Sequence, residues 1–573
     1  MSKEQQPFSI HSFMLPIRWD YLPKGYDLNK GKESVSFENR TDLHKFSHLL
    51  TSKNSGWKRK FFRINGKSDN YNEYHYFHSY ASSTLFDLQQ PDEKTADVIN
   101  SGKVMLYYDL IDLVEKNDKI YYEINTLVDG CFKLNLTGIS LHVYNTGIAI
   151  LTFNLENYKY ETKEEVLKIN EYGRRIYPQF LNDTDCESQN ETKGNPNHTK
   201  SVKEAFLAAS IQVIMGNEKS LSDDFNEYID VKNREVHHFD NDKYERSWVV
   251  RMPAYIRNLF NENFCFVLKE EEDNKKEKIR LNVLGDDRMF FQCWYGNEFE
   301  AKLLTRKTKM FLKSSKSFVE NEPGYLKDTF WYAYIFGDKD PNWPSIANQE
   351  LQADQSKLHT YSRWSDYGTL FGFSKDSFVS ITNRESFSFL VLRHMKSQYY
   401  QIAVLCLAHR ASLLRFSAEI SRLADLARME RDEELVKNIK ILYRNYIEFI
   451  NKINFREITP YIQGVEMYSQ FRDVMKTQQD VEALNKELNE LFTYINLYED
   501  EKQSVYAEKL NKIAIWFLPA SFLASLFGIS FISESTTLYG KPVWSIWLVW
   551  LIIILVGFLI SKRLLRRSKP KKP

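Results

Sequence analysis

Two apolar runs at the end of the chain constrain it more than any other feature. "IAIWFLPASFLASLFGISFI", Ile513 to Ile532, holds no charged residue. At about 1.5 Å per helical residue such a run reaches roughly 30 Å, the thickness of a bilayer's hydrocarbon core. "VWSIWLVWLIIILVGFLIS", Val543 to Ser561, is equally uncharged. Together they predict a membrane hairpin with spans at 513–532 and 543–561 and an outer loop at 533–542. Lys562, Arg563, Arg566, Arg567, Lys569, Lys571 and Lys572 form a basic tail, 562–573, after the second run. Lys502, Lys509 and Lys512 precede the first, whereas the loop carries only Lys541. The positive-inside rule therefore places both ends in the cytoplasm, and Trp516, Trp544 and Trp547 lie where indoles favour the interface.

Nothing at the N-terminus sends the preceding residues across the bilayer, because "MSKEQQPFSIHSFM" lacks the apolar core of a secretory signal. The cysteines at 131, 186, 265, 293 and 406 are widely spaced with no CxxC pair, as reduced cytosolic thiols are. The whole chain carries 77 Lys+Arg against 76 Asp+Glu. That balance creates no global field for a polyanion, so direct DNA or RNA binding is not expected.

The body, 1–385, reads as an α+β domain. Runs rich in β-branched and aromatic residues begin at Lys103, Lys119, Cys131, Ile139 and Ile148, with short turns such as Asn145-Thr146-Gly147 that favour antiparallel pairing. A helix is expected over Lys163–Tyr172, then a polar linker over 182–200. Further strands are expected at "FCFVLKE" and "IRLNVLG". From about Glu385 the pattern turns helical (386–464), and "QIAVLCLAHRASLL" is too short and too charged to span a membrane.

A stalk follows at 465–512. Val474, Val481, Leu484, Leu488, Leu491, Ile495, Tyr498 and Val505 recur in a three-four rhythm, and no Pro or Gly interrupts the chain from Val465 to Leu518. The expectation is one helix from about Val465 to Ile532, either packed within its own chain or bundled with copies of itself. A two-span subunit cannot enclose a pore alone. Leu510, Ala514, Leu518, Ser521, Ser525, Gly528 and Ser530 form the candidate pore-lining stripe. Its small members could equally let helices pack closely.

A long helix entering the first of two terminal spans, Pro519 within that span, a short outer loop and a basic tail together resemble the CorA family of divalent-cation channels. The resemblance covers roughly Val465 to the end. In that family the first span closes with Tyr-Gly-Met-Asn, and a pentameric ring of Asn recognises hydrated magnesium. The matching positions here are Phe527, Gly528, Ile529 and Ser530, of which only the glycine agrees. A serine hydroxyl is a shorter, weaker acceptor than an amide, so this altered motif implies relaxed selectivity. Glu534 just outside would form an acidic ring at the pore mouth of a symmetric oligomer. The large body and the altered tip are similar to the CorA-like membrane effectors associated with type III CRISPR antiviral defence. That likeness implies a bacterial inner-membrane homo-oligomer, five subunits by family, embedded in lipid. It further implies magnesium as a permeant or regulatory ion and activation by a nucleotide second messenger, the S-adenosylmethionine–AMP conjugate (SAM-AMP).

No phosphate-binding loop, dinucleotide fingerprint or nucleophile elbow occurs, so no enzyme chemistry and no covalent cofactor is expected. "HHFDND", His237 to Asp242, and the pair Cys406 and His409 fall short of a metal site, and the metal ligands stay unknown. For an anionic nucleotide, three segments combine guanidinium with aromatic rings: "WKRKFFR" (Trp57–Arg63), "YGRRIY" with Arg174 and Arg175, and "SRWSDYGTLFGFS" with Arg363 and Trp364. The last ranks first because Gly368 and Gly372 permit close backbone approach. Three functions stay open: a ligand-gated channel, a constitutive magnesium transporter, and a membrane-tethered enzyme or scaffold.

Overall fold

The computed structural model describes residues 6–24, 36–52, 55–64, 68–90, 99, 102–110, 120–126, 129–176, 209–215, 219–222, 253–266, 276–285, 288–312, 317–427, 432–531, 537–538 and 541–542. The chain divides into two compact units, Met1–Lys486 and Glu487–Pro573.

The first unit is a mixed α/β body with long helices. Its sheet is organised by β1 (Ser9–Leu22), β2 (Trp57–Arg59), β3 (Met105–Leu110), β4 (Ile120–Thr126), β5 (Cys131–Tyr144) and β6 (Ile148–Asn157). Further along the chain come β7 (Ala209–Met215), β8 (Lys219–Ser222), β9 (Phe264–Cys265), β10 (Lys278–Val283) and β11 (Phe290–Gly296). A separate hairpin, β12 (Lys307–Leu312) and β13 (Ser317–Pro323), precedes β14 (Thr360–Tyr361), β15 (Thr369–Phe373) and β16 (Ser377–Thr382). The main path runs β14-β15-β16-β11-β1-β6-β5-β4-β7-β8, with β3 and β2 branching from β5 and β10 and β9 from β1. Pairing is antiparallel except at β11–β16 and β9–β10.

β1 is the hub. One edge pairs with β6 from Ser9↔Asn157 to Arg18↔Ile148, while the other changes partner, from β11 over Ser9–Met14 to β10 over Ile17–Leu22. Pro16, which cannot donate to a ladder, sits at that change, and its carbonyl accepts from the Leu284 N–H at 3.0 Å. The two sequence runs from Cys131 and Ile139 are one strand, β5, with a register shift between Leu136 and Gly138. The turn after it uses Gly147 at φ 80, where a Cβ would meet Thr41 Cγ2 at 2.7 Å.

Aromatic residues fill the core. Trp19 meets Phe46 at 4.8 Å between centroids, and Trp57 donates its indole N–H to the Leu259 carbonyl at 2.8 Å. Helix Gln398–Ala427 lies on β1 and β6, and its apolar run from Ile402 to Ala408 is buried, so this segment is a core helix. Its anchor is ionic. Asp20 of β1 is fully buried and accepts from Arg18 (3.0 Å), Arg40 (3.0 Å), Arg280 (3.4 Å) and Arg415. Glu419, one turn beyond Arg415, takes Arg422 at 2.9 Å and Arg40 at 2.5 Å. Burial would raise the Glu419 carboxyl, but Arg40 and Arg422 hold it below its usual range.

The expected single helix from Val465 divides. Helix Ile462–Val474 ends at Met475, Lys476 adopts the left-handed region at φ 55, and a helix then runs from Thr477 to Phe531. No Pro or Gly marks this break. It is imposed by packing, since Phe471 is wedged against Phe373 (4.8 Å) and Phe378 (5.1 Å). Val481 and Leu484 of the seam are buried, and the Tyr446 hydroxyl donates to the Val481 carbonyl at 3.3 Å. Among the described residues no helix is long and apolar enough to cross a membrane. The first apolar run is helical through Phe531, with its side chains from Phe522 onward outside the described residues. The second run, the basic tail, the linker 182–200, Glu534 and "HHFDND" also lie outside them.

Candidate functional site

A cavity of about 930 Å³ opens in the first unit, a size suited to a small-molecule ligand. One wall is the end of "WKRKFFR". Trp57 and Arg59 of β2 point inward and Lys58 outward, as strand alternation requires, and the chain continues as Lys60–Arg63 along the cavity. Lys60 N–H donates to the Tyr107 carbonyl at 3.0 Å and Phe62 N–H to the Asp87 carbonyl at 2.9 Å, which fixes this strip. α1 (Phe37–Arg40) and α2 (Leu43–Leu50) lie elsewhere, but α3 (Ser68–His75) brings Asn70 and Glu73, and α4 (Ser79–Leu85) leads into Phe86 and Asp87. His142 of β5 and Asn154 and Glu156 of β6 line the sheet side. Lys396, Tyr400 and Gln401 come from helices Ser386–Lys396 and Gln398–Ala427.

The electrostatics are uneven. Asp87 is consumed by the Arg59 guanidinium (2.8 and 3.0 Å) and by Lys103 (2.7 Å). Lys60 reaches Asp109 at 2.7 Å with its side chain largely in solvent, and Lys396 pairs with Glu156. Burial would raise the Glu156 carboxyl, and Lys396 with Tyr158 outweighs that, leaving it below its usual value. Arg63 has no ion-pair partner among the described residues; its carbonyl accepts from Asn70 Nδ2 at 3.0 Å. Burial pushes the Glu73 carboxyl up to about 7, although Gln401 Nε2 donates to it at 3.1 Å. Four cations thus face Asp87, Glu156 and a Glu73 that is largely protonated below neutrality, so the lining is net positive.

His142 forms part of the floor. Burial lowers it to about 4, so it is neutral, and its Nδ1 has no hydrogen-bond partner. Tyr107 packs edge-on against it at 4.8 Å. Phe62 lies against Phe86 at 4.3 Å and Tyr74 at 6.3 Å.

The expected ligand arginines are elsewhere. Arg174 and Arg175 are buried and bind Glu171, Arg174 at 2.9 Å, and Arg174 also donates to the Gly337 carbonyl at 3.2 Å. They clamp the end of α5 (Lys163–Gly173) to the cap of helix Thr329–Phe336, with no face left for a phosphate. Arg363 is exposed but forks onto Glu466 at 2.7 and 2.8 Å, and Trp364 packs on Phe387 and Tyr367. Neither residue lines the cavity. Leu510, Leu518 and Ser521 are exposed on helix Thr477–Phe531, and Ala514 is half-buried. Ser525, Gly528 and Ser530 belong to the same helix.

One constellation resembles a thiol nucleophile. His11 Nδ1 lies 2.7 Å from Asn170 Oδ1 and 3.5 Å from Cys293 Sγ. Burial pushes the thiol up to about 12 and the imidazole down to about 4, which keeps the thiol protonated and the imidazole neutral. The group lies outside the cavity lining and serves to join β1, α5 and β11. His409 is likewise internal, with Nε2 on the Ile453 carbonyl at 2.6 Å. Among the described residues no group of three or more His, Cys, Asp or Glu could hold a metal ion.

No family model matches the chain, and no curated protein matches it. A solved structure, the CorA magnesium transporter from Methanocaldococcus jannaschii, aligns at 10% identity and a TM-score of 0.19, over 51% of this chain and 95% of that one. A superposition at that score carries no argument.

Proposed function

We propose that the chain is a homo-oligomeric ion channel of the bacterial inner membrane, CorA-like in its two-span design, whose cytoplasmic body binds a nucleotide messenger and gates flux. In this reading it acts as an effector of type III CRISPR defence, with SAM-AMP as activator, magnesium as a permeant ion, and no catalysis of its own. The observation that carries the reading is the helix Thr477–Phe531, 55 residues without a break, which runs from the folded body into the first apolar run. Leu510, Ile513, Ile515, Phe517 and Leu518 are all exposed on it. Exposed apolar side chains in such number favour a cover of lipid or another copy of the chain. The cavity, net positive and aromatic, supports a ligand-sensing body. Flux from magnesium-loaded proteoliposomes tests the reading, with efflux expected only when SAM-AMP is added. Efflux without it is the behaviour of a constitutive transporter, and a hairpin exchangeable for an unrelated anchor without loss of activity is the behaviour of a tether.

A further inference from the structure

Where a messenger binds is open in that reading, and the arginines of the other two candidate segments, the first-ranked one at Arg363 included, pair with Glu171 and Glu466. The cavity at "WKRKFFR" has what those lack. Lys60, Arg63 and Lys396 line it from two elements distant in sequence; Lys60 and Lys396 pair with Asp109 and Glu156, while Arg63 has no carboxylate partner among the described residues. Guanidinium and ammonium groups at a cavity wall suit phosphate oxygens, Arg by a fork and Lys as a point charge. The opposite requirement, a flat apolar surface together with amides, is met by Phe62 and by Asn70, Asn154 and Gln401 of the same lining. A base can stack on the aromatic face, and amides can read the edge of a heterocycle.

A second observation comes from His142. It is 1% exposed, lines the cavity, and leaves Nδ1 unpaired. An unmatched buried polar atom is destabilising, a cost that a bound hydrogen-bonding ligand would remove.

We propose that this cavity is a nucleotide-binding site in which Lys60, Arg63 and Lys396 hold phosphate and Phe62 faces the base. The inference rests on the reading of the chain as ligand-gated and deepens it by naming the site and the ligand class. Lys60 and Arg63 are exposed, so replacing them does not disturb the core.

The test is calorimetric titration of the full-length protein in detergent with AMP, ATP, SAM-AMP, adenosine and inorganic phosphate. At least one of the three nucleotides binds saturably, and adenosine and inorganic phosphate bind at least tenfold more weakly than that nucleotide. Arg63→Ala weakens its binding tenfold or more, equivalent to about 1.4 kcal/mol, Lys60→Ala weakens it to a lesser degree, and Arg363→Ala leaves it unchanged. The proposal is overturned if no nucleotide binds at millimolar concentration, if Arg63→Ala and Lys60→Ala both bind as wild type, or if adenosine binds as tightly as the nucleotide. The two readings fail separately. Nucleotide binding at this site with flux unresponsive removes the gating and keeps the site, whereas SAM-AMP-gated flux unaltered in Arg63→Ala with Lys60→Ala removes the site and keeps the gating.

Discussion

Glu73 gives the sharpest handle on the cavity. Its carboxyl is pushed from 4.5 to about 7 by burial, against the opposing hydrogen bond from Gln401. At about 1.4 kcal/mol per pH unit that displacement corresponds to about 3 kcal/mol in favour of the neutral form, and partial exposure of the carboxyl reduces the expected effect to roughly 1–3 kcal/mol. The sign follows from proton binding. Between 4.5 and about 7 the folded chain keeps a proton that the unfolded chain has released, so this group's contribution is full below 4.5 and is lost as pH rises through about 7. Glu73→Gln keeps the side chain neutral throughout. Melting temperatures of wild type and variant, measured in detergent from pH 4.5 to 8, should coincide at the acid end and diverge toward pH 7, with the variant the more stable. The difference between the two curves isolates Glu73 from the other groups around the cavity: Arg59 of β2, Lys60 and Arg63 after it, Asp87 after α4, Tyr107, His142, Glu156, Lys396 and Tyr400. A flat difference, or a variant less stable than wild type at pH 8, refutes the reasoning. Nucleotide affinity measured in parallel should fall with rising pH near 7 in wild type and lose that dependence in Glu73→Gln.

Further outcomes follow from other parts of the molecule. Asp20→Asn leaves Arg40 and Arg415 buried with Glu419 as their remaining carboxylate, a loss of about 3–5 kcal/mol. It should appear as a lower denaturation midpoint, partly restored by adding Arg415→Met, and an unchanged midpoint contradicts the role given to the network. Alkylation of the native chain should modify exposed Cys131 while sparing buried Cys265, Cys293 and Cys406. Rapid modification of Cys293 would show that the His11 constellation is accessible. Ser521→Glu should change ion flux at least tenfold, and unaltered flux speaks against a pore along that face of the helix.

Much of the fold was legible wherever local pattern and local structure coincide. The runs at Lys103, Lys119 and Ile148 fall on β3, β4 and β6, and the helix from Lys163 is α5, opened by a capping box between Thr162 and Glu165. β1 was not legible. Its buried positions fall on both faces because helices pack against it, Phe37–Arg40, Lys163–Gly173 and Gln398–Ala427 among them, and Pro16, Arg18 and Asp20 break any strand-like alternation. The helix break at Lys476 was hidden because tertiary packing around Phe471, not a Gly or Pro, imposes it. The site divided in the same way. "WKRKFFR" carried its own signal of cation beside aromatic, but Glu73, His142, Lys396 and Tyr400 are brought to it by topology, and no spacing links them. Local sequence likewise does not disclose that Arg174 and Arg175 pair with Glu171 and that Arg363 pairs with Glu466.

In the proposed function a messenger bound by the body opens a path for ions. Magnesium efflux from proteoliposomes, with and without SAM-AMP in one preparation, tests it most directly. Efflux that requires the conjugate is the expected result; equal efflux in its absence, or none in its presence, contradicts the claim.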